Sequence, residues 1–138
     1  MMDLKVILPL GILVILVIAL HKEDPRMTKL KTSYYQFMKI VPDKYSVLRK
    51  PVIVTGTYRG DIGTNVNKGA EIFICIDGSL NDNFHVLLHE LAHSTVTEYD
   101  HTDHFWNNFT DLRNIAKSKG MYVDTPQKAY CGKTIGDT

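Results

Sequence analysis

The sequence is poor in cysteine and in net charge, and each shortage excludes a class of protein. Two cysteines among 138 residues are too few for a disulfide framework, and Cys75 and Cys131 are predicted to be free thiols, with a single bridge as the alternative. A net charge of +1 argues against a general nucleic-acid binder. Hydrophobic residues make up 44% and charged residues 22%, a composition typical of a packed domain.

The longest apolar run lies near the N-terminus, where residues 6–20 carry no charge. Counted from Met1, the segment is long enough to cross a bilayer if Asp3 and Lys5 lie at the interface. A cleaved signal peptide and a buried core helix are the alternatives. Basic residues are more frequent after the run than before it, which favours a cytoplasmic domain. The predicted organisation is a single-pass anchor over residues 1–20, a linker over residues 21–26 and a folded domain over residues 27–138.

Hydrophobic periodicity predicts an α+β domain with a short sheet packed under a histidine-bearing helix. Asp82 or Asn83 is the predicted N-cap of that helix, and Gly120 is predicted to end the last one. Residues 59–69 are rich in glycine and asparagine and are predicted to form a loop. The predicted elements are a helix over 27–41, strands over 51–58 and 70–77, and helices over about 84–96 and 102–119. The predicted core residues of the last helix are Phe105, Trp106, Phe109 and Leu112.

Five of the six histidines lie between Phe84 and Trp106. His89 and His93 are four residues apart, so on a helix both imidazoles lie on one face and can reach one metal ion. Zinc binds such nitrogens and keeps a position for water in catalytic sites. Glu90 lies beside this face, where a carboxylate can accept a proton from the bound water. The spacing therefore predicts a zinc site with Glu90 as general base.

The third ligand is less strongly indicated by the spacing. His85 is eight residues from His93, about 12 Å along a straight helix, and is predicted to be structural. His101 precedes the next helix and is favoured over His104, which lies within it, because an entry turn has more freedom to point at the metal. The carboxylate alternatives are Glu98, Asp100, Asp103 and Asp111.

The segment "HELAHSTVTEYDHTDHFWNNF" resembles the WLM and SprT-like group of zinc metallopeptidases. In that group a third histidine follows in the pattern H-x-x-x-F, which His101 and Phe105 match. The chain is similar in particular to short WLM-like proteins of large DNA viruses, which carry an "NKG" loop and a "YCG" motif, found here at residues 67–69 and 130–132. One departure is Asp100, where these relatives tend to have glycine.

The resemblance implies a zincin-like fold in which His89, His93 and His101 bind zinc and Glu90 is the general base. It implies a peptide or protein substrate. Such a peptidase also needs a group to steady the oxyanion, for which Tyr99, Tyr122 and Tyr130 are candidates by residue type and Tyr130 is the first to test. With the predicted anchor, the expected protein is a membrane-anchored metallopeptidase of a virion or host-cell membrane. The alternatives are a catalytically silent scaffold that contacts viral capsid or membrane proteins and, less favoured by the charge, a DNA-associated protease.

Overall fold

The first helix, α1, spans Pro25–Met38 in the computed structural model and begins two residues before its predicted start. The side chain of Asp24 caps it by accepting a hydrogen bond from the Arg26 amide at 2.9 Å. Proline suits the first turn because its missing N–H would have no helical partner there. The structure describes residues 23–50, 53–56 and 61–137, so the predicted anchor over residues 1–20 lies outside it. Among the described residues, no helix combines the length and the hydropathy needed to cross a membrane.

The remaining elements follow the predicted order, with three additions. A 3₁₀ helix follows α1, a strand replaces much of the predicted loop, and a hairpin lies near the C-terminus. In chain order the elements are the 3₁₀ helix Asp43–Arg49, β1 Ile53–Gly56, β2 Gly63–Val66, β3 Glu71–Ile74, α2 Leu80–Ser94, α3 Asp103–Ser118, β4 Lys128–Tyr130 and β5 Lys133–Ile135. The predicted α+β class is therefore confirmed, and Gly120 adopts the left-handed conformation after α3 (φ +68°).

β2 is the element that the loop prediction missed. It pairs antiparallel with β3, while β1 pairs parallel with β3 on the other side, giving the order β1-β3-β2. Asn67 and Lys68 both have left-handed backbones, with φ of 51° and 54°, and reverse the chain between β2 and β3. The glycine and asparagine residues of this segment therefore lie in an edge strand and the turn after it, whereas the composition of the segment alone predicts a loop.

The prediction of free thiols is wrong, because Cys75 and Cys131 form a disulfide with a Cα–Cα distance of 6.5 Å. Cys75 follows β3 directly, and Cys131 lies in the two-residue turn of the β4–β5 hairpin. Cys131 and Gly132 have φ of 46° and 77°, as a type I′ hairpin turn requires. The bridge therefore fastens the hairpin to the end of the central strand.

α2 begins earlier than predicted, and Ser79 caps it in place of Asp82 or Asn83. The Ser79 hydroxyl accepts from the Asp82 amide at 3.2 Å, and the Asp82 carboxylate accepts from the Ser79 amide at 3.0 Å. This reciprocal capping box uses Asp at the position where Glu or Gln is usual. Asn83 lies within the helix and accepts from the Asp77 amide at 3.0 Å. The capped start fixes the rotation of the helix that carries the histidine pair.

The core lies between α2, the sheet, α1 and one face of α3. Phe37 of α1 meets Phe84 of α2 edge-on, with ring centroids 5.7 Å apart. Phe105, Phe109 and Leu112 are buried, as predicted for the core face of α3. Trp106 does not belong to that core, since 45% of its surface is exposed.

Candidate metal site

α2 presents His89 and His93 from one face, one turn apart. The helix between them is rigidly held, because Leu87, Leu88 and Leu91 are almost completely buried against the sheet and neighbouring helices. Five residues of the first turns, Asp82 to Val86, are also buried, which leaves little freedom for the helix to rotate. Two imidazoles are thus aimed at one point by a helix that cannot easily move.

The segment between α2 and α3 returns His101 to the same point. The Lys68 ammonium holds its start by donating to the carbonyl oxygens of His93, at 3.3 Å, and Glu98. Thr102 then caps α3 by accepting from the Phe105 amide at 3.3 Å. His101 therefore lies just before a fixed helix start, where its ring can face α2.

The three Nε2 atoms converge. His101 Nε2 lies 3.2 Å from His89 Nε2 and 3.1 Å from His93 Nε2. A tetrahedral zinc ion with bonds of about 2.0–2.1 Å would separate its ligand atoms by about 3.3 Å. Among the His, Cys, Asp and Glu side chains of the described residues, these three histidines are the group that could hold one metal ion. The donor set therefore fits zinc.

Hydrogen bonding alone explains this arrangement less well. A neutral imidazole carries one ring proton, so His101 Nε2 can donate to only one of its two nitrogen neighbours. Burial lowers the pKa of His89 to about 3 and of His93 to about 4, and the neighbouring imidazoles add to both shifts. The rings of His89 and His93 are therefore held neutral, which is the form that binds a metal.

Glu90 lies beside the histidines with 6% of its surface exposed. Burial raises the pKa of its carboxyl to about 7. A carboxyl with a pKa near neutrality can both accept and release a proton at physiological pH, as a general base requires. Its side chain lines a cavity of about 340 Å³ together with His89.

Other walls of this cavity come from elements that the sequence did not connect with the histidines. Trp106 and Phe109 of α3 form one side, Gly63 at the start of β2 forms another, and Lys133 to Gly136 close a third. The Trp106 ring is 5.5 Å from the His101 ring, between their centroids. The cavity therefore joins the helix pair, the edge strand and the C-terminal hairpin.

Gly63 packs closely against Glu90 and Val86 of α2, a contact that the sequence composition does not predict. A Cβ atom there would lie 3.0 Å from Cγ of Glu90 and 3.0 Å from Cγ1 of Val86, which is too close without movement. We expect Gly63→Ala to destabilise the domain by about 1–3 kcal/mol and to displace Glu90, because Val86 is buried on a fixed helix. Thermal unfolding measures the first effect and peptide hydrolysis the second.

Gly56→Ala is the matched control in the same sheet. Its added Cβ would lie 3.6 Å from the mobile end of Met27 and 3.8 Å from the Ile74 carbonyl oxygen, which are ordinary contacts. Equal losses of stability in the two variants would contradict the assignment of Gly63 to the wall beside Glu90.

His104, Glu98 and Asp111, which are alternative ligands by residue type, have other partners. His104 is exposed, and its Nδ1 lies 3.0 Å from Glu98, whose carboxylate also accepts from the Thr102 hydroxyl. Asp111 accepts from the Tyr45 hydroxyl at 2.6 Å and pairs with Lys44 at 2.8 Å. Asp100 and Asp103 do not belong to the metal-capable group of the described residues.

His85 and Tyr130 lie apart from the three Nε2 atoms. His85 is buried, as predicted for a structural residue, although it also lines the cavity. The Tyr130 hydroxyl donates to the Cys75 carbonyl oxygen and lies 2.6 Å from Asn83 Oδ1. Tyr130 is 1% exposed, so the structure gives it a role in fastening the hairpin and does not bring it to the oxyanion position.

Comparison with known proteins gives limited similarity. No protein-family model matches the chain. An uncharacterized protein, R325, from Acanthamoeba polyphaga mimivirus is 34% identical over 83 residues; the match covers 52% of this chain and 42% of that protein, so the chain spans less than half of its relative's length. Among solved structures, Wss1 from Saccharomyces cerevisiae aligns at 22% identity with a TM-score of 0.44, covering 65% of this chain and 84% of that chain.

Proposed function

We propose that this protein is a zinc metallopeptidase that hydrolyses peptide bonds in a peptide or protein substrate. The supporting observation is the convergence of the His89, His93 and His101 Nε2 atoms at 3.1–3.2 Å beside the buried Glu90. Zinc bound there would supply a polarised water molecule and a Lewis acid for the substrate carbonyl. The HExxH spacing and the cavity both support this reading.

Glu90 moves the proton in the proposed reaction. Its carboxylate takes a proton from the water molecule as the water oxygen bonds to the peptide carbonyl carbon. The same carboxyl then gives that proton to the amine nitrogen as the C–N bond breaks, which returns Glu90 to its starting state. Burial helps the carboxyl to hold the proton between the two steps, since it raises the pKa of Glu90.

A scaffold that uses zinc only structurally is the weaker alternative. A structural zinc site is closed by four protein ligands, whereas the described group has three histidines. A carboxyl buried without a charged partner is also costly for a site that needs no base. Burial is the sole cause of the raised pKa of Glu90, so no charged side chain in the described part of the chain offsets this cost.

We further propose that residues 1–20 anchor the domain to a membrane, from their uncharged run over residues 6–20. The charge pattern around the run favours a cytoplasmic domain, whereas the Cys75–Cys131 bridge favours an oxidising compartment. We favour the oxidising side, because the charge bias is weak, whereas a disulfide rarely persists in a reducing compartment.

Zinc binding by a matched pair of variants tests the proposed function. We expect His101→Ala to weaken zinc binding by more than about 100-fold. Loss of a residue that only hydrogen-bonds a zinc ligand already lowers metal affinity by about 10–100-fold, and loss of the ligand itself costs more. His104→Ala, three residues away and exposed, is expected to leave zinc content unchanged. Metal analysis after dialysis measures both.

Peptide hydrolysis by the same preparations completes the test. Chelation should abolish cleavage by the wild-type protein, and added zinc should restore it. Equal zinc content in the two variants would contradict the ligand assignment, and cleavage that survives chelation would contradict the proposed reaction.

A further inference from the structure

A buried hydrogen-bond network orients His85 on the floor of the cavity. His85 is 5% exposed, and its Nδ1 lies 2.8 Å from the Tyr122 hydroxyl oxygen and 3.2 Å from Asp137 Oδ1. Asp137 also accepts from the Arg113 guanidinium and from the Thr125 amide, the latter at 2.8 Å. The carboxylate is thus neutralised by Arg113, and the imidazole does not have to carry a charge.

The network decides which nitrogen of His85 carries the proton. The Tyr122 hydroxyl donates its single proton to Asp137 Oδ2, so towards His85 it can only accept. Nδ1 is therefore protonated, and Nε2 of the neutral ring has a free lone pair. Burial lowers the pKa of His85, with Arg113 adding to that shift against the opposing charge of Asp137, which agrees with a neutral ring.

The lone pair of Nε2 is available to the cavity that His85 lines. Nε2 has no hydrogen-bond partner in the described part of the chain, and His85 lines the cavity. The atom is not sealed off, because among the described side chains only Arg113 Nε is both inaccessible and unpaired. The floor of the cavity therefore offers a hydrogen-bond acceptor.

The walls around this acceptor are apolar. Val86, Phe109 and Ile135 line the cavity and are buried, and Trp106 closes its outer side. At the rim, Lys133 lies 3.9 Å from Asp61, so the two charges offset each other. Apolar walls with the His85 acceptor among them match a group with a flat apolar body and a donor at its tip, and the Glu90 carboxyl is a second acceptor that lines the cavity.

We propose that this cavity is a subsite for a tyrosine side chain of the substrate, with the phenol hydroxyl donating to His85 Nε2. The inference rests on the proposed function for its substrate and adds the residue that the site selects. Phenylalanine fits the walls but leaves the acceptor unpaired. A lysine ammonium could also donate, but it is far more strongly hydrated than a phenol hydroxyl, so moving it from water into this cavity costs more free energy.

Matched peptides test this subsite in the full-length protein. The peptides are identical except for tyrosine, phenylalanine or lysine on either side of the scissile bond. We expect kcat/KM for the tyrosine peptide to exceed that for the phenylalanine and lysine peptides by about tenfold or more in the wild type. In His85→Leu the tyrosine-to-phenylalanine ratio should fall to near one.

A tyrosine-to-phenylalanine ratio near one in the wild type would overturn the inference, whether or not the variant folds. An unchanged ratio in a folded His85→Leu protein would also overturn it. A lysine preference would assign the subsite to a cation and would likewise reject the phenol.

Binding without catalysis separates this inference from the proposed function. N-acetyl-tyrosinamide and N-acetyl-phenylalaninamide are titrated into the Glu90→Gln protein and followed by NMR. Tighter binding of the tyrosine compound supports the subsite even if the wild type cleaves no peptide, a result that would reject only the proposed function. Equal binding rejects the subsite even if the wild type is an active peptidase.

Discussion

Glu90→Gln is expected to lower peptide hydrolysis by about 10²–10⁴-fold while the protein keeps its zinc. Glutamine has the shape of glutamate, so the buried position beside Gly63 stays filled. It cannot accept the proton of the attacking water as a carboxylate does. The three histidines are unchanged, so metal analysis should give the wild-type zinc content. Steady-state hydrolysis of a peptide substrate measures the loss.

Stability against pH provides the control for this variant. Burial raises the pKa of Glu90 from 4.5 to about 7, so the folded metal-free protein holds a proton that the unfolded chain releases. Stability is then lost as the pH rises from about 4.5 through about 7, and Glu90→Gln should lack this loss. Its melting temperature in chelator should therefore exceed that of the wild type most clearly above pH 7. Peptide hydrolysis by Glu90→Gln at the wild-type rate would show that Glu90 is not the general base.

Removing the Cys75–Cys131 bridge is expected to cost about 4 kcal/mol of stability. The two cysteines are 56 residues apart, and a cross-link over such a loop restricts the unfolded chain by about that amount. The Cys75→Ser, Cys131→Ser double variant should melt about 15–25 °C below the wild type, as measured by calorimetry. A reducing agent should lower the wild-type melting temperature in the same way.

The double serine variant should itself be insensitive to the reducing agent, which makes it the matched control. Its zinc content at 25 °C should be unchanged, because α2 and α3 hold the histidines and the bridge fastens only the hairpin to the sheet. Hydrolysis should fall, since Lys133 and Ile135 line the cavity from β5. Identical melting of wild type and variant without reducing agent would show that the two thiols do not pair.

Local patterns in the sequence predicted the parts of the site that depend on helix geometry. The four-residue spacing of His89 and His93 is enough to place both rings on one face. The placement of His101 was predicted from its position before a helix start and from the H-x-x-x-F resemblance. Neither required knowledge of contacts between distant segments.

Parts that depend on distant contacts were missed. β2 contains glycine and asparagine, and only its pairing with β3 makes it a strand. The hairpin strands β4 and β5 have three residues each, too few for a periodic pattern. The hydrogen bonds of Tyr130 could not be predicted for the same reason, since its partners Cys75 and Asn83 lie far away in the chain. The Cys131-Gly132 pair was the available signal for a tight turn.

Trp106 is the single tryptophan of the chain, and its indole stands at the mouth of the cavity near both His89 and His101. Tryptophan emission, excited selectively over the seven tyrosines, therefore comes from one known place. Binding of a metal ion by the three histidines, occupation of the cavity and displacement of the C-terminal hairpin would each alter the surroundings of that ring. One unlabelled optical signal can follow all three events in real time.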